Sequence, residues 1–207
     1  MNKKAWNNIA AKYEKYRPKW LEEPSILFDY FCSKLIPGSY ILDIGSGTGL
    51  PYAKSLTEHG FKVLGIDISE DMIEISKKNV PKAQFERISM TEINYYNKFD
   101  GALSSFSMLM LNPIQFRDVA KRIIKAIKKN GLFYLSLNEP WEECIDVDKE
   151  VIIEIMGEKM YSRAYTKEEV LETFTPFNMT LLKFNREIQK SKLFGIEHTT
   201  IYIFKKV

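Results

Sequence analysis

Short apolar runs alternate along this chain with stretches whose apolar residues recur three and four places apart. That alternation predicts an α/β protein with a mostly parallel sheet covered on both faces. Strands are expected at Tyr40 to Asp43, Lys62 to Asp67, Ala83 to Ile88, Phe99 to Ser105 and Leu132 to Leu137, with two more at Met179 to Ile188 and Thr199 to Lys205. The gap before the last strand is about ten residues, too short for a crossover helix, so that strand should run antiparallel to its neighbours. Helices are expected over 25–34 and 51–59. Another starts at the Asn112-Pro113 cap, gathers lysines and closes at Gly131. A capping box, Thr166-Lys167-Glu168-Glu169, opens one more, which Pro176 stops. Ahead of all of these, residues 6–17 carry aromatics outside the sheet.

The end of the first strand carries the most information. Ile41-Leu42-Asp43-Ile44-Gly45-Ser46-Gly47-Thr48-Gly49 passes from an apolar run through an acid into alternating glycines. Residues without a Cβ let the turn take positive φ and let a ligand lie against the main chain, at the N-terminus of the helix that follows. A dinucleotide fingerprint, G-x-G-x-x-G, needs a glycine where Leu50 stands, which disfavours a nicotinamide oxidoreductase. A phosphate-binding P-loop fails for want of the Gly-Lys-Ser/Thr sequence. The second strand ends at Asp67, at the spacing from the glycines where an acid reaches ribose hydroxyls. Ser69, ahead of Glu70 and Asp71, supplies the cap of the next helix.

Asp43, Gly45, Gly47 and Gly49 resemble the first motif of the class I S-adenosylmethionine-dependent methyltransferases, and the stretch from Gly65 to Met72 resembles the second. The resemblance spans about residues 41–207. It implies a Rossmann-like, doubly wound α/β sheet with an antiparallel last strand, and S-adenosylmethionine as cofactor. It also implies that Asp43 orders the ammonium side of that cofactor and that Gly45, Ser46, Gly47 and Gly49 lie against it. Asp67 would clamp the ribose, with Ile68 and Met72 beside the adenine. Ser89 and Met90 would follow at the adenine edge, where many relatives carry Asp in place of Ser89. Ser105 and Phe106 would pass the methionine end, and Tyr13 would close over the cofactor. One domain is expected over 1–207, with 1–37 as a helical lid and 138–165 as a substrate-side insertion.

The same comparison narrows the acceptor. Neither the Asp/Asn-Pro-Pro-aromatic run of DNA amine methyltransferases nor the Pro-Cys of cytosine C5 enzymes follows the fourth strand. A small-molecule acceptor is the reading, with RNA or a protein side chain, or a non-catalytic S-adenosylmethionine-binding regulator, as alternatives. Met108-Leu109-Met110-Leu111 reads as core, with a soft wall for an apolar substrate as the alternative. Of the two histidines, His59 reads as structural beside its helix stop Gly60, while His198, at the start of the antiparallel last strand, is the candidate substrate contact or base.

Composition adds little beyond class. With 45% apolar and 28% charged residues the chain resembles an average globular domain, and a net charge of +3 gives no reason to expect nucleic acid. Cys32 and Cys144 lack metal-ligand spacing and read as small buried hydrophobes, so no metal is expected. No long uncharged apolar window occurs and Met1 to Trp6 lacks an apolar h-region, so no membrane is expected and the location expected is the cytoplasm. The oligomeric state stays open.

Overall fold

In the computed structural model, which describes residues 1–16, 24–140, 150–191 and 195–207, the seven expected runs become strands and two unexpected ones, within 138–165, bring the described strands to nine. They are β1 (Tyr40–Ile44), β2 (Lys62–Asp67), β3 (Gln84–Arg87), β4 (Phe99–Ser105), β5 (Ile127–Asn138), β6 (Glu150–Ile155), β7 (Glu158–Arg163), β8 (Met179–Ser191) and β9 (Gly195–Lys206). The α-helices are α1 (Asn2–Tyr16), α2 (Leu27–Ser33), α3 (Tyr52–Glu58), α4 (Glu70–Asn79), α5 (Pro113–Ala126) and α6 (Lys167–Phe174). Cys144 and Arg17 lie outside the described residues. No helix among those described is long and apolar enough to cross a membrane.

Seven strands form one sheet in the order β3-β2-β1-β4-β5-β9-β8, and β6 and β7 form a separate hairpin. β1 to β5 run parallel, and β9 enters antiparallel between β5 and β8. The sheet is therefore the mixed, doubly wound one that the sequence pattern implies. One face packs against α5 and α6 through Phe116, Val119, Ile123, Phe174 and Phe204. The other packs against α2 and α3 through Phe28, Phe31, Tyr52, Leu56 and Tyr134. Strand β1, in the middle, is buried along Ile41 to Ile44, which is why its residues read as a continuous apolar run broken only by Asp43.

Helix α5 shows how local sequence holds the site's supports in place. Asn112 accepts the Gln115 N–H, and the Gln115 side chain accepts the Asn112 N–H in return. Phe116, Val119, Ala120 and Ile123 then fall on one buried stripe. Each large side chain on that stripe contributes about 1.5–3 kcal/mol on full burial. The helix stops at Ala126, five residues before the expected close at Gly131. The chain turns extended at Ile127, and Lys128 pairs with Asp100 instead of ending a helix. Gly131 answers to space instead, since a Cβ there would lie 2.8 Å from the Asp100 carbonyl oxygen. The tail differs as well. β8 and β9 are longer than their apolar runs, because cross-strand pairing carries them through polar residues as far as Ser191 and Gly195.

The N-terminal helices part company. Helix α2 belongs to the sheet core, with Phe28, Phe31 and Cys32 buried, and burial pushes the Cys32 thiol up to about 12, so it stays an inert thiol. Only α1 leaves the sheet. Its Ala5, Ile9 and Ala10 are buried, with Ala5 and Ile9 packing on Ile155 and Met160 of the β6–β7 hairpin.

Candidate active site

The carboxyl ends of β1, β2 and β4 open into one cavity. Three chain reversals build it. Past β1, the N–H groups of Gly45 and Ser46 both donate to the Ile66 carbonyl, at 2.8 and 3.0 Å, so the glycine loop leans over β2. Past β2, the Asp67 carboxylate takes the Gly47 N–H at 3.0 Å on one oxygen and the Ser69 N–H at 2.8 Å on the other. Past β4, the Ser107 hydroxyl donates to the Ile44 carbonyl at 2.7 Å and packs beneath Gly45, where a Cβ would stand 2.3 Å from the Ser107 Cβ. Glycine at 45 is what lets the β1 and β4 exits touch.

Helix α1 covers this floor. Asn2, Trp6 and Tyr13 face the cavity at helical spacing, and the Trp6 and Tyr13 rings meet edge to face at 5.3 Å. The helix is tied at both ends and in the middle. Asn2 Nδ2 donates to the Tyr161 carbonyl at 3.0 Å while Asn2 Oδ1 accepts the Tyr161 N–H at 2.9 Å. Asn7 Oδ1 accepts the Ser69 hydroxyl at 2.6 Å, and Asn79 Nδ2 bridges Glu14 and the Thr48 carbonyl, each at 3.0 Å. These ties join α1 to the glycine loop and to both ends of α4. Ligand entering the loop should therefore tighten α1. Cleavage at Lys12 and Lys15 by limited proteolysis is expected to slow several-fold with S-adenosylhomocysteine present; equal rates would separate α1 from the site.

Two carboxylates share this mostly apolar space. Asp43 is only 3% exposed, and its burial, with the Asp67 charge adding to it, pushes its carboxyl up to about 7. Burial raises Asp67 too, against the backbone N–H groups of Ser69, Gly47 and Ile68, which hold it down. Among the described lining residues there is no Lys, Arg or His. Two acids in a poorly hydrated pocket favour a cationic ligand that donates hydrogen bonds.

The cavity gathers Asp43, Gly45, Ser46, Gly47, Asp67, Ile68, Met72, Ser89, Met90, Ser105, Phe106 and Tyr13, as the sequence motifs implied. Two expected residues stay outside it. Gly49 does not line it, because its open Cβ position is taken up by Val80, Phe85 and Ser76, so this glycine serves the packing of the loop on α4 and β3. His198 sits on β9 opposite Ile188, with its carbonyl accepting the Glu139 N–H, and it does not line the cavity. β9 is two strand spacings, about 10 Å, from β4. Ser89 lines the wall, but its hydroxyl faces Thr91 as the cap of a short 3₁₀ turn, accepting the Thr91 N–H.

Sequence reasoning passed over Asn2 and Tyr52 and favoured the core for Met110 and Leu111, all of which line the cavity. The run from Met108 is mostly core, with Met108, Leu109 and Leu111 buried there, while Met110 is half-buried; Met110 and Leu111 also line the cavity. His59 is structural, its Nδ1 2.8 Å from the Ser55 carbonyl and its ring against Phe28.

Residues 41–131 match the model of the methyltransferase domain family. Over that stretch the chain carries a methyltransferase domain. The chain is 28% identical over 120 residues to the demethylmenaquinone methyltransferase of Symbiobacterium thermophilum, a match covering 53% of this chain and 47% of that protein. It spans less than half the length of the first of its curated relatives. The methyltransferase of Methanosarcina mazei shares its fold at a TM-score of 0.78 and 18% identity, covering 87% of this chain and 98% of that one. So does the 1,6-didemethyltoxoflavin-N1-methyltransferase of Burkholderia thailandensis, solved with 1,6-didemethyltoxoflavin and S-adenosylhomocysteine, at 0.70 and 18%, covering 98% and 87%. At such identities these two speak for the fold.

Proposed function

We propose that this methyltransferase transfers the methyl group of S-adenosylmethionine to a small-molecule acceptor. The observation that carries the reading is the pair Asp43 and Asp67 in one cavity, with Asp67 fixed by the Gly47 N–H. The cradle fits the cofactor. A Cβ on Gly47 would meet no described protein atom within 4 Å, so that side of the loop is open to a ligand, and the buried Ser46 hydroxyl has no partner among the described residues. Each Asp67 oxygen keeps a second lone pair for a ribose hydroxyl after taking its backbone N–H. Asp43 supplies the negative charge for the ammonium side, and the Trp6 and Tyr13 rings suit a sulfonium.

S-adenosylmethionine, when bound, supplies a methyl group already activated on positively charged sulfur. The chain's own task is then positioning, which well-oriented reactions reward with about 7–11 kcal/mol of the barrier. Helix α1 excludes water and the β4 exit aligns the acceptor. A small acceptor fits a cavity roofed by α1 better than an RNA does, since a nucleic-acid site draws on Lys and Arg and the described lining residues include neither. Two relatives whose names state a small acceptor, demethylmenaquinone methyltransferase and 1,6-didemethyltoxoflavin-N1-methyltransferase, support the same reading.

Titration calorimetry tests the cofactor. S-adenosylhomocysteine is expected to bind in the micromolar range, about 8 kcal/mol, and NAD far more weakly, because Leu50 stands where the dinucleotide loop needs glycine. Tight NAD binding with no response to S-adenosylhomocysteine would sink the proposal. Methyl transfer from labelled cofactor into a metabolite extract separates the enzyme from a regulator that only binds.

A further inference from the structure

Helix α1 presents three stripes to three neighbours. Ala5, Asn8 and Ile9 turn to the β6–β7 hairpin, Asn2, Trp6 and Tyr13 to the cavity, and Asn7 and Glu14 to α4. The helix therefore spans the cavity between two supports, and they differ in kind. Toward α4 it holds by polar ties, the Ser69 hydroxyl donating to Asn7 and the Asn79 amide to Glu14. Toward the hairpin Ala5 and Ile9 close an apolar seam with Ile155 and Met160, all four buried and Met160 completely. Water competes for polar ties but not for such a seam. Along it the Asn2 amide donates to the Tyr161 carbonyl and accepts the Tyr161 N–H, and Asn8 donates to Glu158 at 2.8 Å. The hairpin sets its own shape, since Met156 and Gly157, at φ +54° and +89°, form the two-residue turn whose twist suits paired strands. None of the described residues lining the cavity comes from β6 or β7.

We infer that the β6–β7 hairpin sets cofactor affinity without touching the cofactor, through its grip on α1, and that Met160 is the positioning residue of that grip. The inference rests on the cofactor reading above. An isolated helix of α1's 15 residues is marginal in water, so its docking depends on the faces it buries. The hairpin seam supplies the apolar one. A ligand that meets Trp6 and Tyr13 binds the docked helix better than the undocked one, so the seam and the ligand favour the same state. Such a coupling runs both ways. Loosening the seam weakens the ligand, and the ligand protects the hairpin edge.

Hydrogen exchange and calorimetry test the two directions. In the wild type, saturating S-adenosylhomocysteine should slow exchange of the Tyr161 amide, which donates to Asn2 Oδ1, about threefold or more, together with the amides of α1. Met160→Ala opens the seam away from the cavity wall. It should raise the Kd for S-adenosylhomocysteine about tenfold, as a tenfold smaller docked fraction would, and speed exchange across α1. Met160→Leu refills the volume and should restore both. A residue with a merely structural role would lower the melting temperature of Met160→Ala and leave ligand affinity and α1 exchange as in the wild type, which would overturn the inference. Either change without the other would overturn it too. Should Met160→Ala fail to fold, the wild-type exchange comparison decides: an unchanged Tyr161 amide with ligand bound overturns the inference and leaves the cofactor reading intact. Failure of S-adenosylhomocysteine to bind the wild type would overturn both.

Discussion

Gly47→Val should abolish measurable binding of S-adenosylhomocysteine while leaving a folded protein, and Gly45→Ala should do the reverse in emphasis, unfolding the chain before binding can be asked about. The two glycines lie two residues apart with similar positive φ, +69° and +53°. Their surroundings separate them. A Cβ at 45 strikes Ser107, whose hydroxyl is itself locked to the Ile44 carbonyl, so the β4 exit cannot yield without losing that bond. Overpacking of this kind costs about 1–3 kcal/mol or more, added to the left-handed backbone penalty of about 1–2. A Cβ at 47 meets no described protein atom within 4 Å, so only the backbone penalty falls on folding, while the branched side chain projects into the ligand's space. A loss of at least a hundredfold in affinity is expected, about 2.8 kcal/mol at 1.4 per tenfold. Thermal melts and calorimetry on the two variants decide it. Wild-type affinity in a folded Gly47→Val protein would place the ligand elsewhere.

Asp43→Asn should weaken the cofactor and stabilise the empty protein at once. The buried Asp43 carboxyl is pushed up to about 7 from its ordinary value of 3.8, so the folded state holds a proton there that the unfolded chain has lost. Stability from this group is fully present below 3.8 and is lost as pH rises through about 7. At pH 8 the wild type therefore carries a buried charge that Asn lacks, and the variant should melt higher, by about 2–4 °C for each kcal/mol relieved. Near pH 4 the difference should vanish. Binding moves the other way: the ionised carboxylate is the form that receives a cation, so affinity of the wild type should fall as pH drops below 7, with uptake of ligand releasing up to one proton. The variant should bind ten- to a hundredfold more weakly, the loss of a charged hydrogen bond of about 1.5–3 kcal/mol, with no proton release. Lower melting at pH 8 together with unchanged affinity would remove Asp43 from the site.

How much of this was legible in the chain depended on whether a residue's task was local. Asp67, Ser69 and the two lining glycines act within a few residues of a strand end, and strand ends announce themselves by a break in apolar pattern, so the cradle could be read directly. Gly49 looked the same in sequence, but its reason for being glycine is a contact with Phe85 and Val80, more than thirty positions away in the case of Phe85. No local pattern records such a contact. Asn2 belongs to the same class: only the folded hairpin supplies Tyr161 as its partner. Helix α5 ended early for a different reason, since Lys128, which read as part of a helix C-terminus, lies on β5 and pairs with Asp100 of β4. His198 was misplaced by counting along the sheet edge without counting across it.

The insertion of β9 between β5 and β8 fixes an order of assembly. β9 follows every other strand in sequence yet is the only one that touches β5 on its outer side. A chain emerging from the ribosome can pair β1 through β5 early, but it holds β5 as a raw edge, and β8 without any partner in the sheet, until β9 follows. Exposed edges invite pairing with other chains. Over that interval the glycine loop and Asp67 can already meet while the β5 edge is not yet protected from other chains, so on the proposed function early cofactor capture would act as a folding aid before it serves any reaction.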